Sequence, residues 1–158
     1  MSLDKKNLSE YKKSDVPNGK GLKITLVVSE WNIKITERLY HGAFTTLIDN
    51  GVDSSNIKRI NVPGSFELIY GTRIAQLKEI DVVIAIGSII KGETKHFDFI
   101  CQSVSHGIAN LNQYGNCPVI FCVLTDNNIN QAIERSGGRH GNKGVEAAIS
   151  ALKIARLV

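Results

Sequence analysis

A histidine that follows a glutamate by three residues and a threonine by two, just past a buried apolar run, is the arrangement in this chain best suited to moving protons. The run is Val82–Ile86, and the segment behind it, Gly87–His96, reads GSIIKGETKH. Imidazole is the side chain that changes charge near neutral pH, so His96 is a candidate acid–base group. Thr94 and the loop amides beside it are candidate anion donors. A lone histidine at the base of a helix has an ordinary structural explanation too. Position favours chemistry, because open α/β sheets bind ligands just beyond the carboxyl ends of their strands. His41, His106 and His140 have no comparable setting.

The other apolar runs end in equally suggestive residues. Trp31-Asn32 follows the first, and an indole there offers a flat face for a heteroaromatic ring, or else a cover for the next helix. After the second run comes VPGSFE, in which Pro63-Gly64 makes a tight turn and Ser65 has helix-capping chemistry. Glu67 is placed either to grip N–H donors of a ligand or simply to favour a helix start. After the fourth run, Thr125-Asp126 leads through Glu134-Arg135 to SGGRHGNKG. Arg135 supplies a planar fork for phosphate oxygens and Lys143 a mobile point charge, unless both belong to a solvated basic loop. Neither GxxxxGK[ST] nor a GxGxxG after the first run is present, which disfavours nucleoside triphosphates and dinucleotides. The set suits a small phosphate ester beside a flat ring.

Bringing these residues together requires parallel strands alternating with helices. Strands are predicted at Ile24–Val28, Ile57–Val62, Asp81–Ile86 and Val119–Leu124. Helices are predicted over about 35–49, from Ser65 to about Leu77, over about 97–111, over 130–136 and over 145–157. The fold class is therefore α/β: a three-layer αβα sandwich, flavodoxin-like, with a short four-stranded parallel sheet. Residues 1–20 are read as a polar amino-terminal arm, partly mobile and available to dock on a neighbour, and 21–158 as a single domain. A sheet this short leaves edges that the arm or another subunit should cover.

Bulk properties narrow the partners. At 158 residues one real core can be buried, and the net charge of +4 comes with lysines crowded near the amino terminus. No arginine-rich or aromatic-interleaved basic stripe points to nucleic acid. The amino terminus lacks the apolar core of a signal peptide and no run is long enough to span a membrane, so a cytoplasmic location is expected. Cys101, Cys117 and Cys122 are read as free thiols, and no zinc-like ligand spacing suggests a metal.

Three segments taken together, VPGSFEL, GSIIKGETKHFDF and PVIFCVLTDNNINQAIERSGGRHGNKGVEAA, resemble the lumazine synthase family in order and spacing. That resemblance, from about Leu22 onward, implies condensation of 5-amino-6-(D-ribitylamino)uracil with 3,4-dihydroxy-2-butanone 4-phosphate, without cofactor or metal. By position it implies that Trp31 stacks on the pyrimidine, that Ser65, Phe66 and Glu67 hold the ribityl chain and ring edge, and that Ser88, Ile89 and Ile90 line the pocket. It assigns the butanone phosphate to Glu93, Thr94 and Arg135, proton transfer to His96, and Phe121 to an adjacent subunit; Lys143 joins the substrate-binding set. Members form pentamers, and the short link between the last two helices resembles that of members whose pentamers close into sixty-chain shells. Riboflavin synthase is the implied protein partner.

Departures from the family's pattern are Trp31 where phenylalanine is usual, Ile69 for proline, Cys122 for glycine and Lys91 for arginine. The alternative is a non-catalytic flavin-binding or storage relative, which would keep the aromatic cradle but has no need of His96, Arg135 and Lys143 together.

Overall fold

The structure, a computed structural model, describes Asn7 and residues 9–157. Four strands, β1 (Ile24–Ser29), β2 (Ile57–Val62), β3 (Val82–Ile90) and β4 (Val119–Asp126), form one parallel sheet in the order β2-β1-β3-β4. Helices α1 (Ile33–Asp49), α2 (Leu68–Gln76), α3 (His96–Tyr114), α4 (Ile129–Arg135) and α5 (Lys143–Ile154) connect or follow them. A short antiparallel pair, β5 (Ser136–Gly138) and β6 (Gly141–Asn142), separates α4 from α5. The expected αβα sandwich with a four-stranded parallel sheet is what the chain forms.

The layers follow from side-chain alternation along strands apolar on both faces. Ile24, Leu26 and Val28 of β1 and Val82, Ile84 and Ile86 of β3 point to one face, where Leu39, Ala43 and Leu47 of α1 and Ala148, Ala151 and Leu152 of α5 cover them. Val27, Val83, Ala85 and Val123 point to the other, under Leu68 and Ala75 of α2 and Val104 and Ile108 of α3. Among the described residues β2 and β4 each pair with a single strand, so both edges lie open.

Several element boundaries differ from the sequence reading, and each has a local cause. β3 does not stop at Ile86 but runs through Gly87 to Ile90, because Val83–Ile90 pair residue by residue with Val119–Asp126. Gly87 is there to admit a neighbour rather than to make a loop: a Cβ would sit 2.8 Å from both Leu68 Cδ1 and Ser65 Oγ. Ser65 does not open α2. Residues 65–67 form a turn braced by Glu67, whose Oε2 accepts from Gly64 N–H at 2.9 Å, and the helix starts at Leu68. The SGGRHGNKG segment is not a loop but mostly the β5–β6 hairpin, with α5 starting at Lys143.

The arm's first six residues and Leu8 lie outside the described residues. The rest of it holds to its own domain. Gly19 N–H donates to Asn50 O at 2.8 Å, Asn50 Nδ2 to the Tyr11 hydroxyl at 3.1 Å, and Arg156 Nη2 to Asn18 O at 2.8 Å.

Asn142 ties the hairpin, α1 and α5 together. Its Oδ1 accepts from Gly144 N–H at 2.8 Å as the cap of α5, and its Nδ2 donates to Arg38 O at 2.9 Å. Asn142→Ala is expected to lower unfolding stability by about 1–2 kcal/mol, the usual cost of losing such a cap. Urea denaturation measures it, and an unchanged midpoint would show that the cap carries no stability.

Candidate active site

The carboxyl ends of β1, β2 and β3 lie side by side in the sheet, so the three loops that leave them must converge. They enclose a cleft of about 620 Å³, within the roughly 300–1,000 Å³ of small-molecule sites. Trp31 comes to it from the first loop, Ser65, Phe66 and Glu67 from the second, and Ser88, Ile89, Ile90, Thr94 and His96 from the end of β3 and the start of α3. Nine of the thirteen sequence-selected residues thus meet in one place.

Backbone hydrogen bonds set the loops against one another. Glu30 N–H donates to Val62 O at 2.9 Å and Trp31 N–H to Pro63 O at 3.1 Å, which ties the first loop to the second. Asn32 adopts the left-handed conformation (φ 56°, ψ 42°), and its Nδ2 reaches Ser88 O at 2.9 Å, tying the first loop to β3. Asparagine tolerates that conformation better than most residues. The result holds the Trp31 indole in the open: it is 73% exposed, and Phe66 opposite is half exposed. A large aromatic face held out at a cleft fills no core and is open to a planar ligand.

Polar groups complete the cleft. The Ser88 hydroxyl is buried and finds no partner among the described residues, a cost unless a ligand supplies one. Glu67 spends one carboxylate oxygen on the Gly64 amide, so its side chain is pre-set. His96 is the first residue of the nineteen-residue α3, its backbone N–H donating to Thr94 Oγ1 at 3.3 Å. Its ring is exposed to the cleft mouth, free to exchange protons with a ligand and water. The amino end of a long helix adds a favourable field for an anion beside Thr94.

The other four selected residues lie elsewhere. Glu93 is exposed between Gly92 and Thr94 but does not line the cleft. Phe121 protrudes from β4, 43% exposed, with its neighbours on the strand buried or half-buried. Arg135 lines a second, polar hollow of about 650 Å³ beyond the end of β4, with Arg139, His140 and Asp126. Burial pushes the Asp126 carboxyl up, opposed by the positive charge of Arg135. Lys143 lines neither hollow, and its ammonium pairs with Glu146 Oε2 at 2.5 Å. The three cysteines are free, and burial pushes the Cys122 thiol up to about 12.

Sequence reading missed Asn32, Phe97 and Ile100 as parts of the cleft. Helical spacing could have found the last two, since Phe97 and Ile100 share the turn that begins at His96. Asn32 gave only a faint signal, as an asparagine just ahead of a helix. Among the described residues no group of three or more His, Cys, Asp or Glu side chains is placed to hold a metal ion, and no helix is long and apolar enough to cross a membrane.

Comparison with known proteins is consistent with this geometry. The sequence pattern of the 6,7-dimethyl-8-ribityllumazine synthase family matches residues 21–158. The chain is 59% identical over 156 residues to the 6,7-dimethyl-8-ribityllumazine synthase of Flavobacterium johnsoniae, covering 98% of this chain and 82% of the relative. It is 56% identical to that of Christiangramia forsetii, covering 99% and 95%. With that of Porphyromonas gingivalis it shares 53% identity over 96% of this chain and 94% of the relative.

Proposed function

The chain belongs to the 6,7-dimethyl-8-ribityllumazine synthase family, and from that premise we infer how its own residues divide the work. The reaction condenses 5-amino-6-(D-ribitylamino)uracil with 3,4-dihydroxy-2-butanone 4-phosphate, releases phosphate and water, and serves riboflavin biosynthesis. The observation that carries the residue assignment is the cleft at the strand ends, where an exposed indole, a braced polar turn and an exposed imidazole face one space.

The pyrimidine stacks on Trp31, with its edge against the backbone of Ser88–Ile90 and the ribityl chain along Ser65–Glu67. The buried Ser88 hydroxyl gains a partner when the ring arrives. His96 moves protons during imine formation and during loss of phosphate, both of which need a group that gives and takes a proton near neutral pH. The butanone phosphate sits at the start of α3, held by Thr94. Glu93 contributes there through its backbone N–H, since its carboxylate would repel the phosphate. Holding two reactants together supplies much of the rate, as positioning alone is worth roughly 7–11 kcal/mol in favourable cases.

One chain does not hold the whole site. Phe121, Arg135 and Lys143 lie off the cleft of their own chain, so an adjacent copy is proposed to bring them to it. Exposed Ile33, Tyr70, Phe99 and Tyr114 and the open β2 and β4 edges support self-association, in pentamers that close into sixty-chain shells. Analytical sedimentation tests this, and free pentamers, or pentamers paired into decamers, as the only species would remove the shell. Riboflavin synthase is the proposed partner that consumes the product, and free thiols suit a cytoplasmic setting.

The first experiment is lumazine formation from both purified substrates, followed optically against the enzyme-free rate. Saturable acceleration supports the assignment; background rate with tight riboflavin binding would favour the flavin-storage alternative. Trp31→Ala is expected to raise the KM for the pyrimidine about tenfold, since an aromatic contact with its buried area is worth about 1–2 kcal/mol. The KM for the butanone phosphate should stay put, and an equal rise in both would show that Trp31 only supports the loop.

A further inference from the structure

We propose that Asp126 is a positioning residue for Arg135, fixing the plane of the guanidinium so that its two terminal nitrogens are presented to phosphate. The proposal rests on the reading that Arg135 holds the phosphate of the butanone substrate.

The geometry at the end of β4 is unusual in what it leaves unpaired. Asp126 is 4% exposed, yet its Oδ2 has no hydrogen-bond partner among the described residues, and its Oδ1 faces Arg135 Nε at 3.8 Å. The Nε is itself buried and unpaired, while the Arg135 side chain as a whole is 40% exposed. A buried carboxylate without donors is costly to keep. Glu134 does not share its position, because Glu134 Oε2 is taken by Arg139 through Nε at 3.1 Å and the backbone N–H at 3.0 Å. The Arg135 terminal nitrogens donate to no acceptor among the described residues. Among the described residues Asp126 is the one carboxylate paired with Arg135, and it meets the edge of the fork that phosphate does not need.

Asp126 also has a firm base. It pairs in register with Ile90, which lines the cleft, and its carbonyl accepts from Lys91 N–H at 2.9 Å. Two effects oppose each other here. The negative charge weakens any anion bound nearby, whereas a fixed fork loses less freedom when phosphate arrives. The burial of Asp126 against Nε favours the second, and the two predict opposite signs.

The test uses the assembled enzyme and compares Asp126→Ala, Asp126→Asn and Arg135→Ala with the unaltered protein. The readouts are the KM of each substrate and inhibition by inorganic phosphate. Asp126→Ala is expected to raise both phosphate constants about fivefold, the size of one favourable ion pair, with the pyrimidine KM within about twofold. Asp126→Asn keeps the shape of the side chain and an amide oxygen toward Nε, and should recover part of the phosphate binding lost in Asp126→Ala. Tighter phosphate binding in Asp126→Ala would overturn the proposal, as would equal rises in both KM values or no rescue by asparagine. Should Arg135→Ala leave phosphate binding untouched, the underlying reading falls as well. If Arg135→Ala weakens phosphate and Asp126→Ala does not, the positioning role alone fails.

Discussion

Arg135→Ala is expected to raise the KM for 3,4-dihydroxy-2-butanone 4-phosphate about a hundredfold while changing the KM for the pyrimidine less than about threefold; a charge-assisted pair lost from a phosphate site costs about 3 kcal/mol, and each 1.4 kcal/mol is a factor of ten. The asymmetry is the informative part. Arg135 stands at the carboxyl end of α4 beyond β4, in a polar hollow, whereas Trp31 and the Ser65–Glu67 turn belong to an apolar cleft on the other strands. A substitution that merely loosened the assembly would weaken both substrates together. Arg135→Lys should recover little, because an ammonium cannot reproduce the two parallel N–H donors. Steady-state kinetics with each substrate varied in turn gives both constants. Equal losses for the two substrates would remove Arg135 from the phosphate.

The same comparison separates what the sequence could carry from what it could not. The strand ends were legible because β3 is apolar on both faces, which only a covered parallel strand tolerates, and the loops behind such strands carry ligands. Trp31, Ser65, Glu67, Thr94 and His96 were therefore selected without knowing their distances, and all line one cleft. Gly87 misled, since a glycine after an apolar run reads as a loop, whereas here it lets Ser65 and Leu68 approach the strand. The hairpin at Ser136–Asn142 was hidden for a similar reason, because three glycines in seven residues look like punctuation until their pairing is seen. Asp126 stands out in the sequence as a strand-end residue but carries no assigned role there. Nothing in a strand-end aspartate says that it is buried without a donor, which depends on side chains distant in the chain.

Phe121 shows a different limit. A phenylalanine on a strand is ordinarily core, and its side chain here faces outward from an open edge strand. No periodicity distinguishes such a residue from its buried neighbours, because exposed Phe121 and Thr125 share one side of the alternation with buried Val119 and Val123. Its assignment to a neighbouring copy came from the family's arrangement, and the placement of Arg135 and Lys143 away from the cleft raises the same question for them. On the proposal that an adjacent copy completes the site, whatever dissociates the copies should also reduce activity.

His96→Ala is expected to slow turnover by about 10- to 100-fold while leaving both KM values within about threefold. General acid–base groups typically contribute roughly 10²–10⁴-fold, and the lower end applies because the condensation proceeds slowly unaided and much of the acceleration comes from positioning. The structure favours a kinetic rather than a binding effect. The His96 ring is exposed at the cleft mouth and makes no hydrogen bond among the described residues, while its backbone N–H donates to Thr94 Oγ1. Removing the ring therefore takes away no fold contact comparable to the Asn142 cap, and the melting temperature should hardly move. Added imidazole should restore part of the rate, because an exposed cleft mouth admits a small diffusible base. His96→Gln offers a polar side chain that cannot cycle a proton near neutral pH, and should be as slow as alanine. Turnover unchanged in both variants would take His96 out of the mechanism and leave positioning by Trp31, the Ser65 turn and the phosphate site to account for the whole rate.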